Sequence, residues 1–154
     1  MNAMPFPISV SGAVAVRDVT VEQAIDRLEG ALAQAKAVAL RREGSAVQFR
    51  GGVFRLVSNW NVLVPISNGV LEVSPTANGV SICYRVTFRQ MLVVVTLMVG
   101  VFFGPFVMAA PNTSVAGGLG ILSVSWLWLF GGNFVLTRWR LPAFLVRSLS
   151  RPAA

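Results

Sequence analysis

Two regimes of hydrophobic patterning divide this chain. Up to about residue 89 apolar positions recur at strand or helix spacing, and beyond it nearly every position is apolar or small. Residues 8–17 alternate in parts (Ile8, Val10, then Val14, Val16) and predict a first strand. Thr20 with Gln23 has the spacing of a capping box. Behind it Val21, Ile25, Leu28, Leu32, Ala35 and Ala39 recur at helical spacing, with Gly44 placed as a C-cap. The spacing therefore predicts an amphipathic helix over residues 20–43. Short alternating runs follow at 46–50, 53–57, 62–66, 70–74 and 80–88. Asn68-Gly69 and Asn78-Gly79 are hairpin signals and predict a three-stranded meander over 62–88. In its last strand Ile82, Tyr84, Val86 and Phe88 share one face, while Ser81, Cys83, Arg85 and Thr87 share the other. The implied order is β-α-β-β-β-β, an α+β domain in which one helix covers one face of an antiparallel sheet.

The second regime begins almost without a linker. Residues 91–110 and 115–137 are apolar runs of 20 and 23 residues, each long enough to cross a bilayer core as helix. Four residues, Pro111-Asn112-Thr113-Ser114, separate them, so the two runs predict an antiparallel hairpin. Asn112-Thr113-Ser114 also matches the N-glycosylation acceptor pattern, but in so tight a turn it reads as a polar turn. The expected division is a domain over 1–89, a transmembrane hairpin over 90–137 and a basic, amphipathic juxtamembrane tail over 138–154. Arg89-Gln90 is the whole connection between last strand and first span. At about 3.3 Å per extended residue it holds the domain against the membrane surface.

Charge fixes an expected orientation. The 154 residues carry 13 basic and six acidic side chains, a net charge of +7, yet residues 90–137 contain none of either sign. Arg85 and Arg89 precede the first span, and Arg138, Arg140, Arg147 and Arg151 follow the second. The positive-inside rule then places both termini in the cytoplasm of a plasma or inner membrane. These six arginines are also the candidate contacts for lipid headgroups. In the tail, Leu141, Leu145 and Leu149 form an apolar stripe beside Arg140, Arg147 and Arg151, as in a helix lying on an anionic surface. The positive charge is explained by these flanks, and nucleic-acid binding is not expected.

Within the spans, helices in lipid approach closely at small residues. Thr96, Gly100 and Gly104 recur every fourth residue in the first span. Gly117, Gly120 and Gly131 share one side of the second, opposite Leu119, Trp126 and Phe130. The expectation is that these small faces let the two helices of one hairpin touch, with self-association as the alternative. Pro105 predicts a bend. Neither span holds an ionisable residue, which disfavours a transport pathway.

Candidate chemistry is sparse. With no histidine and one cysteine, neither a His-based triad nor an imidazole or thiolate zinc site can be assembled. Lys36 follows no glycine-rich loop, so a Walker A motif is excluded, and Gly118-x-Gly120 sits inside a span. Glu22, Asp26 and Glu29 fall on one helix face and read as its solvated side. Phe54 and Trp60, in the irregular stretch FRLVSNWNVL, are candidate partner-docking residues or a strand bend. No catalytic residue, cofactor or small-molecule substrate is expected. The sequence suggests a membrane-tethered interaction module, an accessory or regulatory subunit bound to lipids and to another membrane protein or itself. A headgroup-binding surface protein and a small homo-oligomeric pore are the alternatives.

Overall fold

The computed structural model describes residues 8–51, 63–110 and 114–150. Its elements are β1 (Ser9–Arg17), α1 (Val21–Gln34), β2 (Val38–Glu43), β3 (Ala46–Arg50), β4 (Asn68–Thr76) and β5 (Gly79–Thr87), then two long helices, α2 (Arg89–Val107) and α3 (Val115–Ser150). The strands form one antiparallel sheet in the order β1-β5-β4-β3-β2. The fold is thus an α+β domain followed by a helical hairpin, in the β-α-β-β-β-β order.

The second strand comes from residues expected to be helical. α1 starts where the sequence says: Thr20 Oγ1 accepts from the Gln23 amide and Gln23 Oε1 from the Thr20 amide. It stops at Gln34, ten residues before Gly44. Ala37 N donates to Leu32 O and Lys36 N to Ala33 O, the paired bonds of a Schellman motif. Lys36, at φ +58°, occupies the left-handed position where glycine is usual. Residues 38–43 then turn back as β2. A bulge between Val38 and Arg41 carries Ala39 at φ +52°, and Gly44, at φ +60°, turns the chain into β3 instead of capping a helix.

The meander is likewise shorter than expected. Asn78-Gly79 lies at the β4–β5 hairpin, but Asn68-Gly69 is inside β4, paired with Arg50 and Phe49 across the sheet. A Cβ on Gly69 would sit 2.2 Å from Phe49 Cζ, and one on Gly12 2.4 Å from Tyr84 Oη. These glycines admit an aromatic ring lying across the neighbouring strand. Residues 63–65 form a turn, not a strand.

One sheet face is buried. Val10, Val47, Phe49, Leu71, Val73, Val80, Ile82, Tyr84 and Val86 meet Ala24, Ile25, Leu28 and Leu32 of α1. α1 is the covering helix required by the order. Beside it, over β1, lie the last turns of α3, and Leu141, Leu145 and Leu149 are at most 1% exposed. This corrects the lipid-surface reading of the 141–149 stripe: it belongs to the core of the sheet domain. Arg27 Nη1 of α1 donates to Leu149 O, a cation on the negative end of α3.

α2 and α3 are both long and apolar enough to cross a membrane. Each contains one π-helical stretch with i→i+5 bonding, Met98–Phe103 and Leu127–Gly131. The first immediately precedes Pro105. Proline has no N–H and crowds the carbonyl four residues back, and the wider turn relieves that. The second runs into Gly131-Gly132, a pair that tolerates distortion.

Candidate functional site

The helices cover one face of the sheet and leave the other open, and strand register gives its layout. The row nearest α2 reads Ser9, Thr87, Asn68, Arg50 across β1, β5, β4 and β3. The next is Ser11, Arg85, Val70, Gln48, Arg41, and the third is Ala13, Cys83, Glu72, Ala46, Glu43. Farther from α2 come Ala15, Ser81 and Ser74, then Arg17. About half of these side chains are small; Arg50, Arg85 and Arg41 lie in the two rows nearest α2, Glu72 and Glu43 in the third, and Arg17 at the far end.

Polar contacts on this face are few. Arg50 Nε donates to Asn68 Oδ1 (3.4 Å) and Thr87 Oγ1 to the Asn68 carbonyl (3.4 Å). Gln48 Nε2 donates to Glu43 Oε2 (3.0 Å), which pairs with Arg41 (3.0 Å). On the helix side Arg42 pairs with Asp26 at 3.3 Å. Among the described residues no carboxylate pairs with Arg50, Arg85 or Arg89. Cys83 is exposed, and among the described residues no group of acidic or cysteine side chains could hold a metal ion.

The domain meets the hairpin along two seams. At the first, β5 passes into α2 with one residue between them. Phe88, fully buried, donates its amide to Ile8 O. The Gln90 amide donates to Ser67 Oγ at 2.7 Å, and the Ser67 amide donates to Thr87 O at 2.7 Å. At the second seam α3 continues into the sheet domain as described. The seams are joined by rings. Phe88 lies edge-on to Phe134 (5.2 Å), Phe134 stacks with Phe130 (6.2 Å), and Phe130 with Trp126 (5.0 Å).

That aromatic column, at i, i+4, i+8 of α3, marks the side of the hairpin interface. Met91, Val95 and Val99 of α2 are buried there, and Trp126 Nε1 donates to Thr96 Oγ1 at 3.0 Å. Of the six residues expected to pack the hairpin, Thr96 does so. A Cβ on Gly100, Gly120 or Gly131 would meet nothing within 4 Å, and on Gly104 only the Val99 carbonyl of its own helix at 4.0 Å. Gly117 is exposed. Along this stretch the helices pack by rings and branched aliphatics; Gly100, Gly117 and Gly120 are exposed, while Gly104 and Gly118 are buried.

The arginines separate by height. Phe134 is level with Phe88, so Arg138 lies about 6 Å beyond the start of α2 and Arg147 about 20 Å, at 1.5 Å per residue. Along the chain, Arg85, Arg89, Arg138 and Arg140 lie within a few residues of the junction, and Arg147 lies near the C-terminal end of α3. Arg50, which joins the junction set through its register with Asn68 and Thr87, was missed in the sequence because it ends a short run with no visible partner. Phe54, Trp60 and Arg151 lie outside the described residues. No protein-family model matches this chain, and no curated protein or solved structure does.

Proposed function

We propose that this chain is a two-span membrane protein with both termini in the cytoplasm, and that its sheet domain is a non-enzymatic docking module of a larger membrane assembly. The observation that carries the reading is the double seam. A domain joined to its hairpin through Phe88-Arg89 and through α3 is held at fixed height and orientation. Its open face stands along the membrane normal, turned toward a neighbour in the same bilayer. The charge-free stretch flanked by Arg85 and Arg89 on one side and Arg138 and Arg140 on the other supports the orientation. The small residues Ala13, Ala15, Ser81 and Ser74 leave a surface onto which another element can pack closely.

Extraction in a mild detergent, followed by intact-complex mass, tests this. A second protein of defined stoichiometry is expected to remain bound. Ala15→Arg, in the middle of the open face, should release it while the thermal unfolding of the chain itself stays within a few degrees. Only multiples of 16.5 kDa would overturn the accessory-subunit reading, and would favour self-association through the exposed glycines Gly100 and Gly120.

A further inference from the structure

We infer that the base of the open sheet face is a binding site for the phosphate of an anionic phospholipid, formed by Arg50, Arg85 and Arg89 with Asn68 and Thr87 between them. The inference rests on the two-span placement proposed above, but not on any protein partner. Three observations lead to it. Arg50 and Arg85 come from different strands, β3 and β5, yet register puts their side chains on one face in adjoining rows, with Arg89 starting the helix below. All three are exposed, and no carboxylate of the chain pairs with them among the described residues. Glu72 and Glu43, the nearest acids by register, are a row farther from α2, and Glu43 is already taken by Arg41 and Gln48.

Depth supplies the chemistry of the ligand. If the hydrocarbon boundary falls where charge disappears, at Arg89-Gln90, the headgroup layer covers the next ~5–8 Å. Two residues of strand rise about 7 Å, so the Thr87–Asn68–Arg50 row lies at phosphate depth. Arg85, one row higher, reaches it with its side chain. Guanidinium groups bind phosphate oxygens through paired N–H donors, a geometry lysine lacks. Arg50 spends its Nε–H on Asn68, which orients its remaining N–H groups, and the Asn68 amide adds neutral donors. A single phosphodiester could be shared between Arg50 and Arg85, while Arg89 neutralises a neighbouring one. Arg17 and Arg41 lie on the same face but higher or laterally outward, and they are the natural controls.

The test uses the full chain in nanodiscs of phosphatidylcholine with increasing phosphatidylglycerol, with retained lipid read by native mass spectrometry after gentle release. Wild type is expected to retain phosphatidylglycerol selectively. Arg50→Gln with Arg85→Gln should weaken that retention by about 30-fold, or about 2 kcal/mol, from roughly 1 kcal/mol per basic residue near an anionic surface and 1.4 kcal/mol per tenfold. Arg17→Gln should leave it unchanged. Equal retention by the double variant, or an equal loss in Arg17→Gln, would overturn the site and leave only diffuse charge attraction. A third arm adds inorganic phosphate to protein in lipid-free detergent. Saturable binding there, lost in the double variant, would overturn the lipid assignment in favour of a soluble phosphate ligand. Failure to enter nanodiscs at all would instead count against the two-span placement, so the two failures are distinguishable.

Discussion

Single residues decide where this chain departs from its own patterning. Lys36 ends α1 from a left-handed conformation that costs a side chain roughly 1–2 kcal/mol. Nothing in its chemistry announces a stop: Ala35, Ala37 and Ala39 all favour helix, and the glycine expected to do the capping serves another turn eight residues on. Lys36→Gly should accordingly stabilise the domain by up to about 1 kcal/mol, the relief of strain being partly offset by glycine's freedom in the unfolded chain. Denaturant unfolding of the purified protein would check it, and a loss of stability would mean that Lys36 makes a contact that outweighs the strain. Gly51 presents the reverse case. A Cβ there would lie 2.0 Å from Ile66 O and 2.8 Å from Leu63 O. Backbone cannot swing aside as a ring can, so Gly51→Ala should destabilise by about 1–3 kcal/mol or more, seen as a lowered melting temperature.

At the scale of elements, α3 is where sequence and structure differ most instructively. Its 36 residues join two segments that composition separates, an uncharged run and a basic amphipathic one. The periodicity of Leu141, Leu145 and Leu149 was legible, but not what the stripe covers, because an apolar helix face suits a lipid surface and a sheet equally. Only the three-dimensional course of the chain, which brings residue 149 back to residue 27, distinguishes them. Leu145→Ala measures the difference. With the side chain fully buried, the substitution should cost about 2–5 kcal/mol of domain stability, whereas a surface helix would lose only lipid affinity. The hairpin interface was only partly legible for a related reason. Small residues permit close packing in lipid but do not compel it, and here the Trp126–Phe130–Phe134 column occupies the seam. The capping box, the α+β class, the hairpin at Asn78-Gly79 and the two apolar helices could all be read from local pattern alone.

Over the whole molecule, the arginine rows were half legible. Arg85 and Arg89 stand out beside the apolar helix in any linear reading, but Arg50 joins them only through β3–β4–β5 register, by way of Asn68 and Thr87, 18 and 37 positions away. Covalent order has a further consequence. The sheet's first strand pairs with its last, and the face over that first strand is closed by residues 141–149, which are translated after both apolar helices. The sheet therefore cannot close its core until residues 141–149 have been made, and in the two-span placement proposed above that means after the chain has crossed the bilayer twice and returned. A chain that lacks residues 141–149 keeps an uncovered apolar surface beside its first strand, the kind of exposed patch that chaperones and proteases recognise. Under that placement, insertion of the hairpin and completion of the sheet's core would be coupled steps.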